Sequence, residues 1–346
     1  MKILKLLVAS AILFSCISAN ALPRSTASRR LIKATDKYLE AVDKSGQDLH
    51  SIMIVKDGSV VFEKWMSEGK KDVPHILNSV SKTFTSMAVG LAISEGKLSL
   101  DDRLVDIFPE YTPQNASEYL KEMNVEHLLT MNCGHSTDPT RAVWNNKEES
   151  WVKLFMEYPV THKPGTIYCY NSLGTFVLSA IVQKITGEKI ADYLSPRLFK
   201  PLGIEDVSWA ENHEGINTGG WGLFLKTEDL AKMGLMMLQK GQFEGKQIIP
   251  AEWIEAASAA QVPCVPAGMN SDEADKLKEQ TKTSDWLQGY GYQMWRCRHN
   301  AFRADGANGQ YIIVIPEKNA VVVTTADIED MQAEINLIWK HILPAL

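Results

Sequence analysis

Strand-forming segments lie at both ends of this chain and are nearly absent from its middle. Near the N-terminus, two β-rich runs in "HSIMIVKDGSVVFEKWM" flank Lys56-Asp57-Gly58, where Asp-Gly supplies the positive φ of a tight hairpin turn. Near the C-terminus, "GYGYQMWRC", "GQYIIVIP" and "NAVVVTTA" are β-rich. Hairpins pair antiparallel strands. The chain therefore predicts an α+β fold, with one antiparallel sheet built from N- and C-terminal strands and flanked by helices.

The region between these strands reads as loop and helix. Its clearest helices lie in "VEHLLTMNCGH" and "GTFVLSAIVQKITG". With 346 residues and 45% hydrophobic content, the chain can bury a sizeable core. We predict one domain over residues 30–346. Its α/β part occupies about 30–100 and 225–346, and a helical insertion subdomain occupies about 101–224.

Other segments have the apolar spacing of helices. Residues 30–42 form the first, and a second begins at Ser79 and stops at Gly96. In "TEDLAKMGLMMLQKG", Thr227 is placed to cap the helix, and a final helix runs from Met331 towards Leu343. The apolar residues after Ser79 fall three and four apart: Phe84, Met87, Ala88, Leu91 and Ala92.

The first 21 residues have the composition of a secretory signal peptide. Residues 1–5 carry positive charge, residues 6–17 are an apolar stretch too short to span a bilayer comfortably, and Ala19-Asn20-Ala21 offers small residues for cleavage. A second interpretation takes residues 13–16 as a loose lipoprotein box with a lipid anchor at Cys16, although Phe14 is bulky for that motif. Both interpretations predict export, to the periplasm or the extracellular space, with the outer membrane for the lipidated form.

Charge and cysteine spacing narrow the classes of partner. The net charge is −6 and no basic run follows the N-terminus, which argues against nucleic acid. The cysteines after residue 21 show no C-x-x-C pairing, so no metal or other cofactor is predicted. An oxidising compartment leaves two alternatives for these cysteines. Either Cys264 and Cys297 form a disulfide, or all four are buried thiols. We expect a small-molecule substrate and no integral membrane span in the mature chain.

A Ser-x-x-Lys pattern stands out at Ser79 and Lys82. The pattern occurs four times, but at Ser67 and Ser94 a glycine precedes the lysine, and bulky residues follow Ser150. At a helix N-terminus, free N–H groups and the dipole stabilise negative charge on a serine oxygen. Three residues are nearly one turn, so Lys82 would project beside Ser79 and accept its proton if burial lowers its pKa. The alternative is a helix-capping serine with a solvated lysine.

Two further segments contribute candidate residues. Tyr170 follows a Pro-Gly turn and precedes a helix, where a phenol beside a lysine can shuttle protons, and Asn171 or Ser172 can supply a hydrogen bond. The alternative is a packed tyrosine and a turn-forming asparagine. In "FRADGANGQYIIVIP", Gly306 and Gly309 let the backbone approach a ligand closely, or they form an ordinary bulge.

Serine, lysine, tyrosine and a glycine-bearing late strand, in this order around a helical insertion, resemble the class C β-lactamase and penicillin-binding-protein superfamily of serine hydrolases. The phrases "EGKLSLDDRLVDIFPEY", "VEHLLTMNCGH", "PLGI" and "GGWGLFLKTEDLAKMG" support a resemblance over about residues 45–340. It implies that Ser79 is the acylated nucleophile and that Lys82 activates it. It also implies that Tyr170 shuttles the proton and that the N–H groups of Ser79 and Ala307 form an oxyanion hole.

The chain departs from the superfamily at two motifs. The asparagine expected two positions after Tyr170 is Ser172. The Lys-Thr-Gly of β-lactamases reads Ala304-Asp305-Gly306, and alanine cannot bind a substrate carboxylate as that lysine does. Arg303 is adjacent, but strand alternation should point it to the opposite face. These departures weaken the case for a carboxylate-bearing substrate.

The resemblance also implies weaker candidates for substrate binding. His135 and Trp221 lie on loops that border the pocket in the superfamily, as does Trp295, while a histidine is more often structural. Trp221 and Tyr292 fit a core position as well as a substrate wall. Asp305 and Gly306 complete the set of predicted substrate contacts, with Asn171 and Ser172.

The sequence thus predicts a hydrolase that forms an acyl-enzyme on Ser79 and cleaves an ester or amide, with water or an alcohol as acceptor. One alternative is a true β-lactamase or D-alanyl-D-alanine peptidase that uses another cation in place of the missing lysine. An alternative of another class is a non-catalytic ligand-binding or sensor module on the same scaffold.

Overall fold

The computed structural model describes residues 21–264 and 271–346. The predicted signal peptide, apart from its last residue, and the predicted anchor at Cys16 lie outside these ranges. Within them, no helix is both long enough and apolar enough to cross a bilayer. Cys133, Cys169, Cys264 and Cys297 are all free thiols, so Cys264 and Cys297 are not joined, but the predicted burial of all four fails at Cys169, which is half-buried.

The main sheet joins the two ends of the chain, as predicted. Its order is β2-β1-β11-β10-β9-β8, and every neighbouring pair is antiparallel, with Met53 opposite Val323 where the N- and C-terminal strands meet. A three-stranded sheet (β3-β5-β4) and a two-stranded sheet (β6-β7) are smaller. The described strands are β1 (Asp48–Lys56), β2 (Ser59–Trp65), β3 (His75–Ile76), β4 (Ser208–Trp209), β5 (Leu223–Leu225), β6 (Gln242–Phe243), β7 (Lys246–Gln247), β8 (Trp295–Arg296), β9 (Phe302–Gly306), β10 (Gln310–Ile315) and β11 (Ala320–Asp327).

Helices fill the predicted middle region and cover the sheet. The described α-helices are α1 (Arg29–Lys44), α2 (Ser81–Ser94), α3 (Leu104–Ile107), α4 (Glu118–Glu122), α5 (Val125–Leu129), α6 (Thr140–Val143), α7 (Trp151–Glu157), α8 (Ser172–Thr186), α9 (Ile190–Leu194), α10 (Thr227–Leu238), α11 (Ala251–Ser258), α12 (Ser271–Thr281) and α13 (Met331–Leu337). The α+β architecture is confirmed. The division into an α/β part and a helical insertion stays a prediction.

Three local predictions are wrong. Thr227 does not cap α10; it is the first helical residue, and its hydroxyl hydrogen-bonds to Ser51 in β1 at 2.8 Å. The last helix ends at Leu337 and continues as a π-helical segment, Ile338–Ile342, instead of running regularly to Leu343. In "GYGYQMWRC", only Trp295 and Arg296 join the sheet.

The sheet is buried on both faces. One face packs against α2 and α10 in the larger apolar cluster, and the other packs against α1 and α13. All six residues of β10 are buried, so this strand has no solvent-facing side. At the end of β9, Gly306 lies against Leu77 and Val80, next to the start of α2.

Helix α2 is buried all round. The sequence suggested an apolar stripe, but every residue from Ser81 to Ala92 is buried, including the polar ones. A helix enclosed on all sides belongs to the interior of a large domain. It lies between the sheet and α8, which fixes the position of residues just before it.

Helix α10 packs closely on the sheet through Gly234. A Cβ atom there would lie 2.5 Å from Val321 Cγ1 and 2.8 Å from Ile312 Cγ2, both on rigid β-branched side chains. We expect Gly234→Ala to lower the free energy of unfolding by about 1–3 kcal/mol, because overpacking forces the helix off the sheet. Urea unfolding measures this. The control Gly174→Ala meets only ordinary contacts of 3.5 Å and should be neutral or slightly stabilising; equal behaviour of the two variants would contradict the prediction.

Candidate active site

Ser79 lies in a tight turn immediately before α2. The turn, Asn78–Val80, is a 3-10 helix, and Asn78 adopts a positive φ of 47°. The side chain of Asn78 donates a hydrogen bond from Nδ2 to the carbonyl oxygen of Ala307 at 2.9 Å, which ties the turn to the end of β9. Neither the turn nor α2 has a side-chain N-cap, so Ser79 is not the capping residue that the alternative interpretation required.

Lys82 is buried and its amine points at Ser79. Only 1% of the Lys82 surface is exposed to solvent. Nζ donates to Ser79 Oγ at 3.0 Å, to Ser172 Oγ at 3.0 Å and to the carbonyl oxygen of Gly220 at 2.7 Å. Burial lowers the pKa of Lys82 to about 7, with nearby Asp138 and Asp305 opposing the shift. Lys82 is therefore not a solvated surface charge, and its amine is available as a base near neutral pH.

Tyr170 completes the group. Its phenol interacts with the side chain of Ser79, and Lys82 Nζ lies 5.0 Å from the ring centroid. The ring stacks on Trp295 with 5.7 Å between centroids and 23° between planes. Burial raises the pKa of Tyr170, while the interaction with Ser79 opposes the shift, so the phenol keeps its proton near neutral pH. The structure thus brings the three predicted side chains together.

The lowered pKa of Lys82 predicts an acidic limb in the pH profile. A protonated amine cannot accept the proton of Ser79, so activity that depends on the free amine is lost as pH falls through about 7. We expect kcat/KM for an uncharged ester to fall about tenfold per pH unit below that value and to level off above it. The profile of a substrate without ionisable groups measures this, and a flat profile between pH 5.5 and 8 would contradict it.

Asn171 and His135 contact each other at the start of α8, and their predicted contact with substrate stays a prediction. Asn171 caps α8, accepting from Gly174 N at 2.9 Å, and its Nδ2 lies 3.1 Å from His135 Nδ1. His135 is fully buried, with its ring edge-on to Phe155 and Tyr158. Burial lowers its pKa to about 4, so the imidazole is neutral at physiological pH. The pair fixes the start of α8, and with it Ser172.

Ser172 and the backbone carbonyl of Gly220, the residue before Trp221, contact the amine of Lys82. Ser172 Oγ accepts from Lys82 where the superfamily pattern has an asparagine. Trp221 directly follows Gly220, whose carbonyl accepts from Lys82, and its indole stacks on Trp144 at 5.0 Å and 14°. Trp144 is 52% exposed, so the stack reaches solvent. The predicted contact of Trp221 with substrate stays a prediction. Tyr292 is instead a core residue, packed on Trp253.

The turn after β9 faces Ser79 with its backbone. A Cβ atom at Gly306 would clash with the carbonyl oxygen of Leu77, so only glycine permits this approach. The carbonyl of Ala307 accepts from Asn78, and in the described part of the chain neither the N–H of Ala307 nor that of Ser79 has an acceptor. Two free amides beside the nucleophile suit an oxyanion, and their role stays a prediction.

The end of β9 carries a feature that the sequence reasoning missed. Ala304 packs into the apolar cluster on the α2 side, while Arg303 lies on the other face, as alternation requires. There Arg303 is fully buried and donates from Nε to Asp305 Oδ2 at 2.7 Å. Residues two positions apart on a strand share one face, so the opposite charges in the pattern Arg-Ala-Asp could have predicted this ion pair.

Comparison with known proteins agrees with this geometry. The family model described as Beta-lactamase matches residues 41–341. The 6-aminohexanoate-dimer hydrolase of Paenarthrobacter ureafaciens is 25% identical over 293 residues, covering 79% of this chain and 71% of its own.

Solved structures share the fold. A putative 6-aminohexanoate-dimer hydrolase from Bacillus anthracis superposes with a TM-score of 0.72 at 18% identity, covering 93% of this chain and 86% of its own. The structure titled "EstCE1, a hydrolase with promiscuous acyltransferase activity" gives a TM-score of 0.73 at 15% identity, covering 91% and 98%. The chain therefore belongs to the β-lactamase family of serine hydrolases.

Proposed function

We propose that this protein is an exported hydrolase that forms a covalent acyl-enzyme on Ser79 and cleaves an ester or an amide. The observation that carries the proposal is the buried amine of Lys82, which hydrogen-bonds to Ser79 Oγ at 3.0 Å. Burying an amine is costly, and a binding module has no use for one that is aimed at a serine hydroxyl. This favours the enzyme over the ligand-binding alternative.

The contacts support a complete proton path. Lys82 in its neutral form accepts the Ser79 proton as Oγ bonds to the substrate carbonyl carbon, and the amides of Ser79 and Ala307 stabilise the oxyanion. Tyr170 donates its phenolic proton to the leaving group and recovers one from the Lys82 ammonium. In the second half, Tyr170 passes its phenolic proton to the neutral amine of Lys82 as it takes a proton from water or an alcohol, which attacks the acyl carbon. The Lys82 ammonium then returns a proton to Ser79 Oγ as the acyl bond to that oxygen breaks.

The substrate class follows from the late strand and from the relatives. Ala304 is buried in the core, and the charge of Arg303 is paired with Asp305, so neither replaces the lysine that binds a β-lactam carboxylate. The relative from Paenarthrobacter is named as a hydrolase of the 6-aminohexanoate dimer, and EstCE1 as a hydrolase with promiscuous acyltransferase activity. We therefore favour esters and amides over β-lactams and D-alanyl peptides.

Export rests on the first 21 residues alone, whose charged start, apolar run and small residues match a secretory signal. We favour plain cleavage over lipidation at Cys16, because Phe14 is bulky for a lipoprotein box.

The test is a Ser79-dependent substrate screen. Purified enzyme and Ser79→Ala would be assayed side by side on short-chain 4-nitrophenyl esters, nitrocefin and a D-Ala-D-Ala peptide. We expect turnover of esters by the wild type only, with nitrocefin and peptide rates at least about 10²-fold lower. Faster Ser79-dependent hydrolysis of nitrocefin or peptide would support the β-lactamase or peptidase alternative, and no Ser79-dependent reaction with any of them would contradict the proposal.

A further inference from the structure

Two side-chain amides converge on the backbone carbonyl of Ala307. Asn78, the residue directly before Ser79, donates from Nδ2 to this oxygen at 2.9 Å. Gln310, which is 1% exposed, donates to the same oxygen from Nε2 at 3.2 Å. A carbonyl oxygen has lone pairs for two such donors. The proton path proposed above uses neither side chain, so both contacts need another explanation.

The turn after β9 depends on these contacts for its position. Ala307 and Asn308 are both exposed, so packing in the core does not hold them. On the inner side, Gln310 Nε2 also donates to the carbonyl oxygens of Asn308 at 3.1 Å and of Ala326 in β11 at 2.6 Å, and its Oε1 accepts from Ala326 N at 3.1 Å. Gln310 thus fixes the turn to the sheet, and Asn78 fixes it to the turn of the nucleophile.

The backbone of Ala307 is held on both sides against the turn of the nucleophile. Before Ala307, Gly306 lies so close to Leu77 that a Cβ atom would be 2.3 Å from its carbonyl oxygen. After the N–H of Ala307, the carbonyl of the same residue accepts from Asn78. The N–H therefore lies, along the chain, between two contacts with the segment that carries Ser79. Donors that are fixed before charge develops are what stabilises an oxyanion.

The backbone conformation of Asn78 makes its side chain informative. Its φ is 47°, in the left-handed region that favours glycine and that asparagine tolerates better than most residues. Glycine would meet the backbone requirement alone. Asparagine meets it as well and adds an amide that reaches Ala307.

We propose that Asn78 is a positioning residue of the reaction. Its side-chain amide, acting with Gln310 on the carbonyl of Ala307, holds the N–H groups of Ser79 and Ala307 in the mutual geometry that stabilises the oxyanion. The inference rests on the proposed function, since it concerns the same acyl transfer. The role acts through the backbone and requires no contact between Asn78 and substrate.

Asn78→Gly tests the proposal, because it removes the amide and leaves a residue that accepts the positive φ. With active enzyme counted by fluorophosphonate titration, we expect kcat/KM for a short-chain 4-nitrophenyl ester to fall about tenfold or more. The control is Asn319→Gly in the turn between β10 and β11. Asn319 also has a positive φ, 45°, and donates from Nδ2 to Asp57 Oδ1 at 2.9 Å, so its loss should change kcat/KM by less than about twofold.

A transition-state analogue separates positioning from a general loss of structure. An arylboronic acid bonds through boron to Ser79 Oγ, with the serine proton passing to Lys82, and the tetrahedral adduct places an oxygen in the oxyanion position. We expect its inhibition constant to rise in Asn78→Gly by the factor by which kcat/KM falls. The acidic limb set by the pKa of Lys82 should stay at about 7, because the contacts of that amine are untouched.

The outcomes separate this inference from the proposed function. An Asn78→Gly enzyme within about twofold of wild type overturns the inference, and so does a slower enzyme with unchanged inhibition by the boronic acid. An equal loss in Asn319→Gly overturns it as well. If Asn78→Gly fails to fold, Asn78→Asp, which keeps the shape but cannot donate, is measured in its place with the same expectation. Ser79-dependent turnover by the wild type leaves the proposed function standing in each case, and its absence contradicts both.

Discussion

Replacing Lys82 by methionine is expected to lower kcat/KM for a neutral ester by about 10³-fold or more, because the Ser79 proton then has no acceptor. The amine is the only side-chain nitrogen found within hydrogen-bonding distance of Ser79 Oγ in the described residues. Methionine keeps the length and the apolar stem, so the packing of α2 is largely preserved. Single-turnover release of nitrophenol measures the acylation rate directly.

A second buried lysine provides the matched control. Lys232 on α10 is 4% exposed and donates from Nζ to the carbonyl oxygen of Gly203 at 2.7 Å, away from Ser79. Lys232→Met should cost stability but leave kcat/KM of the folded enzyme within about threefold of wild type. Acylation by Lys82→Met within tenfold of wild type would remove the amine from the mechanism, and equal losses in both variants would point to a general effect of losing a buried lysine.

Tyr170→Phe is expected to slow turnover of a nitrophenyl ester by about 10²-fold or more, as for lost acid–base assistance. Phenylalanine preserves the stack on Trp295, so the loss reports the phenolic hydroxyl alone. Deacylation should suffer at least as much as acylation, because nitrophenol leaves without a proton donor whereas water needs a base. Acyl-enzyme should therefore accumulate, which a burst of nitrophenol would reveal.

The neighbouring Tyr168 is the control for this substitution. It lies in the same aromatic cluster, against Tyr290 and Trp295, but the phenol that reaches Ser79 is that of Tyr170. Tyr168→Phe should change turnover by less than about threefold. An unchanged rate in Tyr170→Phe would exclude the phenol from proton transfer, whatever its position in the fold.

The fold was predictable because its strongest signals are local. The Asp57-Gly58 turn and the β-branched runs of β10 and β11 specify strands by themselves, and antiparallel pairing follows from hairpins. Boundaries that depend on tertiary contacts were not predictable. Thr227 looked like a cap, yet its hydroxyl is used by Ser51 across the sheet, which no local pattern records.

In the candidate site, too, features with a local sequence signal were predictable and features that depend on tertiary packing were not. Ser79, Lys82 and Tyr170 were found because each lies in a short local context that suits its chemistry. The burial of His135, 0% exposed beneath Asn171, depends on how α7 and α8 pack, and sequence spacing carries no measure of it. The Gly220 carbonyl that binds Lys82 is a backbone group and leaves no side-chain signal at all.

Accurate mass of the enzyme after reaction with a fluorophosphonate tests the central claim most directly. The account predicts one adduct per chain, located on Ser79 by peptide fragmentation, retained in Ser81→Ala and absent from Ser79→Ala. Ser81 is the stringent comparison because it follows the serine turn directly, at the first position of α2, and its hydroxyl donates to Asn78 O at 2.6 Å. An adduct on any other residue, or equal labelling of Ser79→Ala, would contradict the account.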